Sequence, residues 1–234
     1  MKQDSGATPA PQPSRVVPQR GLLVAAPLLL VLAIGAAVAG HEVVRQWRIA
    51  KVEGAAAAAD KSSPALALAR LTGAEQTCDG ACGPRALVAG GAARALIAAR
   101  MPAGSEREAL AAKAADSLRS AIGEQPGSGA RWAWLAVAES ARGGPDHHRA
   151  ALMALERSYQ LAPFLRDLAV WRARFAGSDW AALDALSRER ALDEIARLSL
   201  IDPDQAGEAQ AAFNAPAAGL ALDLRMARRG VLAH

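Results

Sequence analysis

The chain has 234 residues, of which 52% are hydrophobic but only 4% aromatic, with a formal net charge of +4. That length holds one domain of ordinary size plus an anchor and a linker, and the alanine-dominated apolar content, poor in the β-branched runs that strands need, points to an all-α fold. The basic residues are mostly arginines scattered among acidic neighbours, without a stripe interleaved with aromatics, so no nucleic-acid surface is expected.

Residues 1–20 are rich in Pro, Ser and Gln without periodicity and read as a disordered cytoplasmic tail. Residues 21–40, Gly21 to Gly40, carry no charge and are long enough to span a bilayer as a single transmembrane helix. A cleaved signal peptide is the alternative, because Ala37-Val38-Ala39 has the small-x-small form of a cleavage site. Arg15 and Arg20 precede the span and Arg45, Arg48 and Lys51 follow it, so the positive-inside rule does not decide the orientation. A short tail ahead of a first span ordinarily stays in the cytoplasm, which puts the larger part in the periplasm, on the inner membrane. Gly35 with Ala39, and Ala36 with Gly40, set small residues four apart, so a homo-oligomer through the span stays open.

Residues 41–82 read as a helical stalk and a cysteine-containing linker. Val43, Val44, Trp47 and Ile49 are the apolar members of a helix over 41–60, and Ser63 caps a short helix from Pro64 to Leu71. Cys78 and Cys82 have three residues between them, whereas redox and zinc motifs usually have two, and no further zinc ligands lie nearby. In an oxidising compartment the expected state is a local disulfide ahead of the helix at Pro84. Thiol–disulfide exchange and a pair of plain thiols are the competing readings.

Residues 83–205 carry a succession of helices. The first runs from Pro84 to Arg100 with Leu87, Val88, Ala95, Leu96 and Ala99 inward, and Ser105-x-x-Glu108 reads as a capping box opening the next. Ser128 offers a cap for a helix with Trp132, Leu135 and Glu139 at helical spacing; Gly143-Gly144-Pro145 ends it. Ala151, Leu155, Ser158 and Tyr159 then form the inward stripe of a helix stopping at Pro163. His147 and His148 point about 100° apart on a helix, so they cannot pair on one face to bind zinc and read as solvated. Arg131, Arg142, Arg149 and Arg157, with Glu139 and Glu156, read as wet helix faces. A helix over Phe164–Ala176 with Leu165, Leu168, Trp171 and Phe175 on one side, a short Trp180–Leu186 segment and a helix from Ser187 to Ile201 follow. Residues 206–234 read as a helical cap or tail, broken at Pro216 and closing on Arg225, Arg228 and Arg229.

Trp132-x-x-Leu135-Ala136 and Ala151-x-x-x-Leu155-x-x-Ser158-x-x-x-x-Pro163 resemble the opening and the second-helix ending of a tetratricopeptide repeat. Ala114-x-x-x-Leu118-x-x-Ala121-x-x-x-x-Pro126 repeats that ending upstream. Ala191-x-x-x-Ile195-x-x-Leu198-x-x-x-x-Pro203 repeats it downstream, with a bulky Leu198 where the motif takes a small residue. The prolines recur at intervals slightly longer than the roughly 34 residues of the regular repeat, and the hairpin of Trp132 carries its extra length in the Gly143–His148 turn. The resemblance implies antiparallel helical hairpins stacked as an α-solenoid, with Trp132, Leu135, Ala151, Leu155, Pro163, Ala114, Leu118, Ala121 and Pro126 at repeat-packing positions. Trp180-x-x-Leu183 followed by Arg190-Ala191-x-x-Glu194-Ile195-x-x-Leu198 is similar to the VpsP-like membrane-anchored proteins of bacterial exopolysaccharide biosynthesis and export.

No nucleophile elbow, phosphate loop or His-Glu-x-x-His stands in the chain, so no enzyme activity, cofactor or metal is expected. The function expected is a membrane-anchored scaffold for another envelope protein or peptide. The alternative is a periplasmic thiol–disulfide component using Cys78 and Cys82.

Overall fold

The computed structural model describes residues 19–78, 82–211, 213 and 216–228; residues 1–18 of the tail read at the N-terminus, and Arg229 at the other end, lie outside the described residues, while Gln19 and Arg20, read as part of that tail, open a helix. Among the described residues there are ten α-helices, one 3-10 turn and no strand. The helices are α1 (Gln19–Ala57), α2 (Pro64–Gln76), α3 (Gly83–Ala99), α4 (Ser105–Glu124), α5 (Gly129–Arg142), α6 (Pro145–Leu161), α7 (Ala169–Ser178), α8 (Ala185–Ile201), α9 (Pro203–Gln210) and α10 (Pro216–Arg228).

The chain divides into two compact units, Met1–Val44 and Arg45–His234. In the first, Leu29, Leu30, Val31, Leu32, Ile34 and Val38 of α1 all stand exposed. Among the described residues α1 is the one helix long and apolar enough to cross a membrane.

The second unit is built on two apolar clusters. One gathers Ile49, Val52, Leu71, Ile97 and Leu110 around the two cysteines. The other runs through Leu118, Leu135, Leu155, Tyr159, Ile195 and Leu198 to Phe213, Leu222 and Met226. In this unit α3 packs on α4, and α5 on α6; α5 also rests on both α3 and α4. Beyond α6 the pattern changes. There α7 packs on α8 and α9, while α8 touches α6, α9 and α10.

Small residues set these distances. On α3 the buried face is Ala86, Gly90, Gly91, Ala93, Ala95, Ile97 and Ala98, while Leu87 stands exposed. Of the residues read as inward, Ala95 is buried in the cluster with Ala114 and Leu118, Val88 and Leu96 are half-buried, and Leu87 and Ala99 are exposed. A Cβ on Gly91 would lie 2.8 Å from Leu118 Cγ, so the close approach of the two helices needs glycine there. Ala114, Leu118, Ala121, Ala151 and Leu155 are fully buried and Leu135 nearly so, whereas Pro126 is exposed and Pro163 half-buried.

Several boundaries differ from expectation for identifiable reasons. Ser105 is the first residue of α4, behind an N-cap Gly104, and makes no capping bond. Helix α2 continues past Leu71 to Gln76. No helix covers Phe164 or Leu165, and Arg166–Leu168 forms a 3-10 turn. The Leu165 N–H donates to Glu194 Oε1 at 2.8 Å, which takes that donor out of any helical ladder. Trp180 to Asp184 is turn rather than helix. Helix α8 starts at Ala185 because Asp184 Oδ1 accepts the Ser187 N–H at 2.6 Å, and Ser187 itself is buried.

Candidate functional site: an aromatic groove and a disulfide pocket

On α3 the residues Arg85, Val88, Ala89, Ala92, Leu96 and Ala99 recur at helical spacing on the side away from the small-residue face. On α5 the corresponding row is Ala130, Trp134 and Val137, and on α7 it is Val170, Trp171 and Arg174. These rows wall three adjoining cavities of about 470, 150 and 620 Å³, and Trp134 lines all three. Ala56, Ala57, Asp60, Asp167 and Leu168 also line the largest. Trp171 stacks on Phe175 with ring centroids 5.2 Å apart, which fixes one wall.

The sequence singled out a different tryptophan. Trp132 packs against the core and donates Nε1–H to the Pro126 carbonyl at 2.9 Å, tying the start of α5 to the preceding turn. Two residues apart on a helix are separated by about 200°, so Trp132 and Trp134 cannot share a face. The signal for Trp134 was present as the Ala130, Trp134, Val137 row, masked by the stronger repeat motif.

The groove's arginines are mostly engaged. Arg85 Nη2 donates to Glu53 Oε2 at 3.0 Å, Arg131 holds the Ala121 carbonyl and Gln125, and Arg174 pairs with Glu208. Arg166 reaches Asp202 at 3.4 Å. The carboxylates of Asp60 and Asp167 have no hydrogen-bond or ion-pair partner among the described residues and stand exposed at the mouth. Among the described residues, no group of three or more His, Cys, Asp or Glu is arranged to hold a metal.

Comparison with protein-family models, curated proteins and solved structures finds no match.

Cys78 and Cys82 are joined in a disulfide with their Cα atoms 5.3 Å apart, linking the end of α2 to the N-cap of α3; residues 79–81 between them lie outside the described residues. Both are nearly buried. A cavity of about 260 Å³ borders them, walled by Val52, Glu75, Ala86 and Arg94. Burial holds the Glu75 carboxyl above its ordinary range, while the paired Arg94 guanidinium pulls it back. With so few residues in the closed loop, opening the bridge in a Cys78→Ser/Cys82→Ser variant is expected to cost about 2 kcal/mol. Urea unfolding of the oxidised and reduced chain measures it, and a loss above about 5 kcal/mol would contradict a local staple.

Two charged clusters are buried, and the first, around Glu139, is one the sequence reads as a wet helix face. Glu139 is only 1% exposed and receives Arg119, Arg142 at 3.5 Å and His147 Nδ1 at 3.0 Å. Arg131 is 9% exposed. His148 turns the other way, with Nε2 2.8 Å from Asp179 Oδ1 and its ring against the edge of Phe175. Each histidine of the pair thus serves a different helix, as their angular separation requires.

The second cluster is wholly internal. Arg172 and Glu194 are both 0% exposed, with Arg172 Nε 3.1 Å from Glu194 Oε2, within ion-pair range but not aligned as a hydrogen bond. Arg172 Nη1 donates to the Ala162 carbonyl at 3.0 Å and to Ser158 Oγ at 3.4 Å, and its guanidinium covers the Tyr159 ring at 3.8 Å. Desolvation pushes the Glu194 carboxyl up to about 7 against the pull of Arg172 and the Leu165 N–H, and keeps the Tyr159 hydroxyl protonated. Solvent cannot reach these groups, so they serve as a joint between α6, α7 and α8.

Proposed function

We propose that this chain is a membrane-anchored, non-enzymatic scaffold of the bacterial cell envelope. In this reading its stacked helical hairpins form a tetratricopeptide-like solenoid that docks another protein or peptide. The observation that carries the reading is the row of cavities sharing Trp134, walled by one face each of α3, α5 and α7. Repeated hairpins lay their first helices side by side, and such a surface suits an extended or helical peptide. The exposed apolar run of α1 supports the anchor. The closed, nearly buried disulfide supports an oxidising compartment, hence a periplasmic domain on the inner membrane, and argues against thiol–disulfide exchange as the activity. Exopolysaccharide export is the process to which the sequence resemblance directs the partner search.

The test is site-specific photocrosslinking in intact cells. A photoreactive residue at Leu96, in the groove, is expected to give a discrete adduct that disappears when Trp134 is replaced by alanine. The same residue at Met153, exposed on α6 outside the groove walls, is expected to give none. An adduct formed equally from both positions, or unchanged by Trp134→Ala, would remove the groove from consideration.

A further inference from the structure

The charge left over in the groove specifies what it takes. The largest cavity is walled by Leu96, Val137, Val170 and the two tryptophans, Trp134 and Trp171. Its cation, Arg174, is paired with Glu208; Arg100 donates to the neutral carbonyls of Ala59 and Ser62 at 2.7 Å each and so keeps its charge beside the Asp60 turn. Asp60 and Asp167 alone among its charged lining residues have no partner among the described residues. A ligand seated there meets apolar and aromatic surface and the carboxylates of Asp60 and Asp167, the first partly offset by the charge of Arg100.

We propose that the groove accepts a peptide segment bearing lysine or arginine flanked by apolar residues, the cation facing Asp60 and Asp167 and the neighbouring side chains lying on Trp134 and Trp171. The inference rests on the docking role given above and names the chemistry of its partner. Apolar contact supplies most of the affinity. The carboxylates supply discrimination, since a glutamate at the same place meets like charge. A cation near an indole face adds to the preference. Because both aspartates are exposed, their effect is moderate and screened by salt.

The experiment uses the full chain in detergent micelles and three short, labelled, amidated peptides. They share one leucine–alanine framework and carry lysine, glutamine or glutamate at the same central positions. Fluorescence anisotropy is expected to rank them lysine, glutamine, glutamate, with at least about a tenfold spread at low salt that narrows as salt rises. The Asp60→Asn/Asp167→Asn variant is expected to weaken the lysine peptide by about 3- to 10-fold and to leave the glutamine peptide unchanged. Trp134→Ala is expected to weaken all three. Equal binding of the three peptides at a site lost with Trp134→Ala, or tightest binding of the glutamate peptide, would overturn the charge preference and leave the docking groove standing. Failure of all three to bind, or binding indifferent to Trp134, would overturn both.

Discussion

Replacing Arg172 with methionine is expected to lower the unfolding free energy by about 3–5 kcal/mol near neutral pH and above. Methionine preserves most of the volume, so the loss comes from charge rather than from a cavity. Glu194 would stay 0% exposed with the Leu165 N–H still donating to it but no cation beside it. The Ala162 carbonyl and Ser158 hydroxyl would lose their guanidinium partner as well. The penalty must depend on pH, and its sign follows from Glu194. In the folded chain that carboxyl is already pushed up to about 7 from an ordinary 4.5. Arg172 is the larger of the groups holding it down, so its removal lets the value rise further. An acid whose folded pKa exceeds its unfolded one keeps its proton longer in the native state. The stability this contributes is complete below the unfolded value and is lost as pH rises through the folded one. Urea midpoints of Arg172→Met should therefore lie closest to wild type near about pH 5 and farthest near about pH 8. The double variant Arg172→Met/Glu194→Leu removes both charges together and is expected to recover most of the loss, because a buried pair replaced by apolar groups is nearly neutral. A single variant costing under about 1 kcal/mol at both pH values would mean the pair is hydrated or open in solution.

That joint marks where the sequence stops being readable. The all-helical class followed from alanine content and from the absence of strand-forming runs, and the helix start at Pro64 behind its Ser63 cap followed from local chemistry. These signals are confined to a few neighbouring residues. The pairing of Arg172 with Glu194 joins α7 to α8 across 22 positions, and nothing in either segment separates a buried arginine from the many solvated ones around it. Glu139 is opaque for the same reason: it sits three residues from Arg142, the spacing of a surface ion pair, yet Arg119 and His147 close over it from α4 and α6. On α3 the difficulty is of another kind. Side-chain size does not mark the inward face there, because α3 buries its glycines and small alanines, Gly91 against α4 and Gly90 towards α2, and leaves Val88 and Leu96 for the groove. In an alanine-rich helix both faces are apolar, so hydrophobicity does not tell core from binding surface. The groove exists only once residues of α3, α5 and α7 are brought around the same cavities, and no one helix carries its signature.

Gly129→Val is the second large effect expected, a loss of roughly 3 kcal/mol, at the upper end of what overpacking usually costs. Gly129 opens α5 where it crosses the end of α6, and its carbonyl accepts the Ser158 hydroxyl at 2.8 Å. A Cβ there would stand 2.9 Å from the Ala162 nitrogen and 3.1 Å from the Ser158 carbonyl oxygen, besides pressing on the Ala162 methyl. Backbone atoms cannot rotate aside as a flexible side chain would, so the two helices must separate. Ser158 also accepts from Arg172, so the displacement would be felt at the Arg172–Glu194 joint. Losses from Gly129→Val and Arg172→Met should accordingly fail to add in the double variant, because both disturb the same contacts around Ser158 and Ala162. Gly207 is the internal control: nothing lies within 4 Å of a Cβ placed there, so Gly207→Ala in α9 should be neutral or stabilising by up to about 1 kcal/mol. Thermal melts separate the cases, with Gly129→Val falling by roughly 6–12 °C on the scaling for a unit of this size and Gly207→Ala holding or rising. A Gly129→Val chain that melted with wild type would mean α5 and α6 do not approach this closely. The groove row of Ala130, Trp134 and Val137 would then be set at a different angle to α3 and α7.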